Sequence, residues 1–162
     1  MTIDELIEKH PKIFHGERPH LGIAIGPGSN HFVDELCSAI EEKLDDDQFR
    51  VQLVKEKFSE LRFYFSHKKP EIFLDLIESA REKSKTICEE CGGDGGIFEI
   101  GGWYSTMCEE HARAHGKGRR EKVYFIEDDS TKFPLPTYIS KAPILTEISF
   151  SAETEKCSEF QR

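Results

Sequence analysis

The stretch from Cys88 to His111, CEECGGDGGIFEIGGWYSTMCEEH, constrains the fold more than any other part of the chain. It holds Cys88-x2-Cys91 and Cys108-x2-His111, with a glycine-rich segment between the pairs. Two residues between paired ligands let one tight turn present both to a single ion, and the segment between must then fold back to join the pairs. The pattern predicts a structural, tetrahedral zinc site with Cys88, Cys91, Cys108 and His111 as ligands. His115, one helical turn beyond His111, is the alternative fourth ligand. Ile97, Phe98, Ile100 and Trp103 are expected to form a small ribbon over the metal, with Trp103 in the core of that module. Gly92 to Gly96 read as a flexible turn. Glu89, Glu90, Glu109 and Glu110 flank the ligands and read as solvated residues of the two turns.

Cysteine usage agrees with a metal site. Of five Cys, three lie in the motif, Cys37 falls within an apolar helical pattern and Cys157 lies near the C-terminus. The odd count suits a reducing compartment better than a disulfide framework, and Cys37 reads as a buried apolar residue. The N-terminus, MTIDELIEKHPKIF, lacks the apolar run of a signal peptide, and nowhere do enough apolar residues run together to span a membrane. A cytoplasmic protein is the expectation.

The chain of 162 residues carries a formal charge of -9, from 31 acidic and 22 basic side chains. Duplex-binding domains gain most of their affinity by neutralising phosphates, so this balance argues against nucleic acid as the main partner and fits a protein partner better. One local exception stands out. Arg113, His115, Lys117, Arg119, Arg120 and Lys122 form a basic cluster, expected as an exposed turn beside the zinc module because it includes Gly116 and Gly118, and a candidate contact for nucleic acid or another partner.

Along the chain, Thr2 and Glu5 make a capping box for a short helix ended or bent at Pro11. Gly22, Gly26 and Gly28 do not form a phosphate loop, because no Gly-Lys-Ser/Thr follows. Ser29 or Asn30 is expected to cap a helix to residue 44, with Phe32, Val33, Leu36, Cys37, Ile40 and Leu44 as its core-facing stripe. Asp45, Asp46 and Asp47 read as a solvated turn. Alternation over 49–65 predicts two strands joined by KEKFSE. A helix over 70–84 follows, with Ile72, Phe73, Leu76, Ile77 and Ala80 facing the core. A strand is expected at Val123–Ile126, with extended pieces near Tyr138 and Ile144–Phe150.

These elements predict an α+β fold, a small antiparallel sheet packed with helices, with an integral zinc-ribbon or knuckle module. The expected division is an α+β body over 1–85, the zinc module over 86–116, C-terminal strands packing on the body over 117–150, and a flexible tail over 151–162.

Four segments resemble a family of small proteins found in bacteriophages and bacterial genomes: VKEKFSELRFYFS at 54–66, DLIESAREKS at 75–84, TICEECG at 86–92 and GGWYSTMCEEHA at 101–112. The family pattern has Gly-Gly where this chain has Ser59-Glu60. The resemblance implies the ligands Cys88, Cys91, Cys108 and His111 and a phage or mobile-element setting, and it implies no established reaction.

Catalysis is not expected. A catalytic zinc keeps three protein ligands and an open position, whereas this motif supplies four, and the His-x-Glu of a zinc deaminase is missing. The leading expectation is a non-enzymatic, zinc-stabilised binding protein, phage-encoded and acting on a host protein as an inhibitor or anti-defence factor. The alternatives are a nucleic-acid-binding zinc protein using residues 113–122, or a protein that binds a small nucleotide signal.

Overall fold

Helices form in this chain where apolar residues recur at three- and four-residue steps, and strands where they alternate. In a computed structural model, which describes residues 1–45, 47–126 and the backbone of 145–147, these patterns assemble into an α+β fold. Helix α1 (Ile3–Lys9) starts at the expected box: Thr2 accepts from the Glu5 amide while the Glu5 carboxylate takes the Thr2 amide. Pro11 ends that helix and opens α2 (Pro11–Phe14). The apolar piece after it becomes β1 (Ile23–Ala24), and a 3-10 turn at Pro27–Ser29 leads into α3 (Asn30–Lys43). Ser29 occupies the cap position of α3, but its hydroxyl donates to Glu56 and leaves the helix N-terminus uncapped by that side chain.

Strands β2 (Arg50–Lys57) and β3 (Glu60–Ser66) form an antiparallel hairpin, and β1 adds to β2 in parallel, giving the order β1-β2-β3. The predicted connection KEKFSE is mostly strand. Only Phe58 and Ser59 turn, both with positive φ (56° and 62°), the geometry of a two-residue hairpin loop whose twist matches its strands. Helix α4 (Glu71–Ser84) then packs on β3. Its buried residues are Phe73, Ala80 and Ser84, whereas Ile72, expected in the core, is exposed because it lies off that face, in the first turn.

One apolar core joins α1, α2, α3, α4 and the inner face of this sheet. Phe49 stacks on Phe65 at 4.8 Å between ring centres and meets Phe73 edge-on at 5.0 Å, so three of the twelve Phe make one aromatic centre. Cys37 is fully buried here, and burial pushes its thiol far above the ordinary range, which makes it inert packing.

The second sheet has the order β5-β4-β6-β7, antiparallel throughout, from β4 (Gly96–Ile100), β5 (Trp103–Met107), β6 (Val123–Ile126) and β7 (Leu145–Glu147). Helix α5 (Glu109–Arg119) packs across it, and a separate cluster of Cys88, Phe98, Ile100, Met107 and Ala112 is buried beneath. Among the described residues no helix is long and apolar enough to cross a membrane. Asp45 and Asp47 are exposed, as a solvated turn requires. Asp46, Tyr138, Cys157 and the predicted tail lie outside the described residues, as do the parts of the predicted 144–150 strand beyond β7.

Candidate metal centre

The first ligand pair sits on a knuckle between α4 and β4. Cys88 N–H donates to the Gly93 carbonyl and Gly92 N–H to the Cys88 carbonyl, both at 2.8 Å, so the backbone closes around the two sulfurs. The second pair comes from the end of β5 and the start of α5: Cys108 occupies the position just before the helix and His111 lies in its first turn. Antiparallel pairing of β4 with β5 supplies the fold-back that the spacing demanded.

The four ligand atoms, three Sγ and an imidazole nitrogen, all lie within 4.8 Å of one another. His111 Nδ1 is 3.1 Å from Cys108 Sγ and 3.6 Å from Cys88 Sγ. A tetrahedral ion with about 2.3 Å bonds to sulfur and about 2.0 Å to nitrogen separates such atoms by roughly 3.5 Å. The donor set and its spacing therefore fit a metal ion such as zinc. Burial pushes the Cys88 thiol up, while backbone hydrogen bonds at Cys108, Cys91 and Glu90 pull the other way. A cation between the sulfurs would favour the thiolate form that ligation requires.

His115, the alternative ligand, turns away to Glu90 at 3.1 Å and is not in the cluster. Trp103 departs further from expectation. It is 72% exposed, next to the Gly101-Gly102 turn, and does not cover the site. The cover comes from Phe98 and Ile100 with Met107, Ala112 and half-buried Phe125. Met107 shares a strand phase with Trp103, but it lies at the buried end of β5, beside the ligands, while Trp103 lies at the hairpin tip.

No protein-family model, curated protein or solved structure matches the chain.

What ties the centre to the rest of the chain is the loop Gly26-Pro27-Gly28. Gly28 N–H donates to the Glu89 carbonyl at 2.8 Å, and a Cβ on Gly28 would overlap the Cys88 carbonyl and the Gly92 amide. Gly26 and Gly28, which the sequence did not assign to a phosphate loop, serve this close approach of two backbones. Beside it, Glu89 is half-buried against Glu56, whose carboxylate also takes the Ser29 hydroxyl and the Gly26 amide. Burial first, and then Glu56, push the Glu89 carboxyl up to about 8. The expected solvated role fails for Glu89, because the seam desolvates it. Glu109 pairs with Arg113 and Glu90 with His115, while Glu110 is exposed.

The basic residues fall on α5 and just past it. The predicted turn at 113–122 is helical to Arg119, because Gly116 is a packing residue: its missing side chain admits Val123. Arg113 is half-buried and held by Glu109, whereas Lys117, Arg119, Arg120 and Lys122 are exposed, with Arg120 ending the helix at φ 58°.

Proposed function

We propose that the chain is a non-enzymatic binding protein whose second sheet is braced by one structural zinc ion held by Cys88, Cys91, Cys108 and His111. One observation supports this reading above others: four side-chain ligand atoms converge within 4.8 Å, so a tetrahedral ion would have no position left for water or substrate. Folding and metal binding are then one equilibrium, since the ligand pairs flank the β4–β5 hairpin in sequence and meet only when its strands pair. The resemblance of residues 54–112 to phage and bacterial proteins favours a phage setting and a host protein as the partner, and the net charge of -9 suits a partner with a basic surface.

Cobalt substitution tests the closed site. The cobalt-loaded protein should give the visible absorption of a tetrahedral thiolate-rich centre, and added azide should leave it unchanged. A spectrum that shifts with azide reveals an open position and overturns the non-catalytic reading.

A further inference from the structure

The outer face of the first sheet carries a second feature that the metal reading does not use. In the β2–β3 register Arg50 stands opposite Ser66, Leu53 opposite Tyr64 and Lys55 opposite Arg62, while Val51, Val54, Phe63 and Phe65 turn to the core. A register irregularity between Val51 and Leu53 sets this phase. The result is a solvent-side strip of Arg50, Lys55, Lys57 and Arg62 around Leu53 and Tyr64. On this face of β2 and β3 the carboxylate is Glu60, opposite Lys57, since Glu56 pairs with core-facing Leu61 on the other phase; Glu60 is shared among Arg62 at 2.9 Å, Arg81 at 3.0 Å and Lys85 at 3.4 Å. Arg50 and Lys55 have no ion-pair partner among the described residues. In a chain of net charge -9, four cations against one shared carboxylate make a local reversal of sign.

At the Arg50–Ser66 end, the strip meets a groove of about 290 Å³ lined by residues that include His15, Glu17, Arg18, His20 and Arg50, with Arg18 paired to Asp4 at 2.6 Å. Tyr64 is 49% exposed and stands among the cations. Cations recur along β2 at Lys55 and Lys57, two residues or about 7 Å apart. A charged groove that tracks a phosphate backbone, with an aromatic ring on which a base stacks, is the physical recipe for single-stranded nucleic acid. A duplex hides its base faces and would leave Tyr64 without a role.

We propose that the outer face of the β1-β2-β3 sheet binds single-stranded nucleic acid, with Arg50, Lys55, Lys57 and Arg62 on phosphates and Tyr64 stacked on a base. This surface is distinct from the basic residues of α5 and does not depend on the zinc reading.

Fluorescence anisotropy of a labelled thymidine oligonucleotide of about twelve residues, within the site sizes of single-strand binders, tests it on the full chain with circular dichroism and zinc content checked for each variant. The expected result is saturable binding at roughly 1–100 µM in low salt, with a log–log salt slope of about -2 to -3, the value for three to four phosphate contacts. Tyr64→Ala should weaken binding about five- to a hundredfold, and Tyr64→Phe should restore it. Arg50→Glu with Lys55→Glu should lower both affinity and salt slope, and Arg119→Glu with Arg120→Glu should change neither. Absence of binding at low salt overturns the proposal even if the protein holds its zinc. So does binding lost only in the α5 variant, or binding to polyglutamate that competes equally and ignores Tyr64→Ala, which would make the face a site for acidic peptide.

Discussion

His10 is the most deeply buried ionisable ring among the described residues, and its position shows how single side chains lock the helices together. Its Nε2 lies 2.8 Å from Asp34 and its Nδ1 lies 3.1 Å from Glu41, so one ring from the α1–α2 junction bridges two carboxylates on α3. Lys9 adds a 2.7 Å bond to Asp34. Burial pushes the Asp34 carboxyl up, but the hydrogen bonds from Lys9 and His10 outweigh it and hold it below the usual 3.8. A lowered acid pKa means the charged form is the one that stabilises: its contribution is complete above 3.8 and is lost as pH falls below that value through the folded-state pKa. Asp34→Asn should therefore cost about 1–3 kcal/mol in urea unfolding at pH 7. A cost near zero there would show that the network is incidental. None of this was legible in the sequence, where His10 and Asp34 lie 24 residues apart in ordinary helical patterns.

At the scale of elements, the β2–β3 hairpin carries a local conflict. Phe58 and Ser59 both adopt left-handed backbone, which costs a residue with a side chain about 1–2 kcal/mol, and the buried Ser59 hydroxyl has no hydrogen-bond partner among the described residues. The Ser59 carbonyl meanwhile accepts from the Thr106 hydroxyl at 3.1 Å and joins the hairpin to β5. Ser59→Gly relieves the backbone, removes the orphaned hydroxyl and keeps the carbonyl. It should stabilise the protein by roughly 1 kcal/mol, measured as a higher denaturant midpoint with an unchanged slope. Alternation in RVQLV and LRFYF made both strands readable, but the position of the turn was not, since no Asn-Gly or Gly-Gly marks it. The same limit explains Trp103 and Gly116. Apolar character suggested burial for the first and glycine suggested a turn for the second, yet the hairpin tip exposes the tryptophan and the approach of Val123 demands the glycine.

Across the whole molecule, two small cores meet at one seam. The Gly26-Pro27-Gly28 loop rests on the knuckle backbone, Glu56 faces Glu89, and Thr106 reaches Ser59. The four candidate ligands were legible because ligand spacing is a local property, and the structure brings those four side chains together. The seam was not legible, because it depends on which backbone segments come close in space. It follows that the metal should hold more than its own loop: without it, the knuckle that supports Gly28 and Glu89 loses its anchor. Zinc content of protein purified without added metal, measured by mass spectrometry alongside thermal unfolding before and after a strong chelator, tests this most directly. About one zinc per chain is predicted, with a marked fall in unfolding temperature on chelation and the same loss in Cys88→Ser. A metal-free chain that unfolds at the same temperature with and without Cys88 would contradict it.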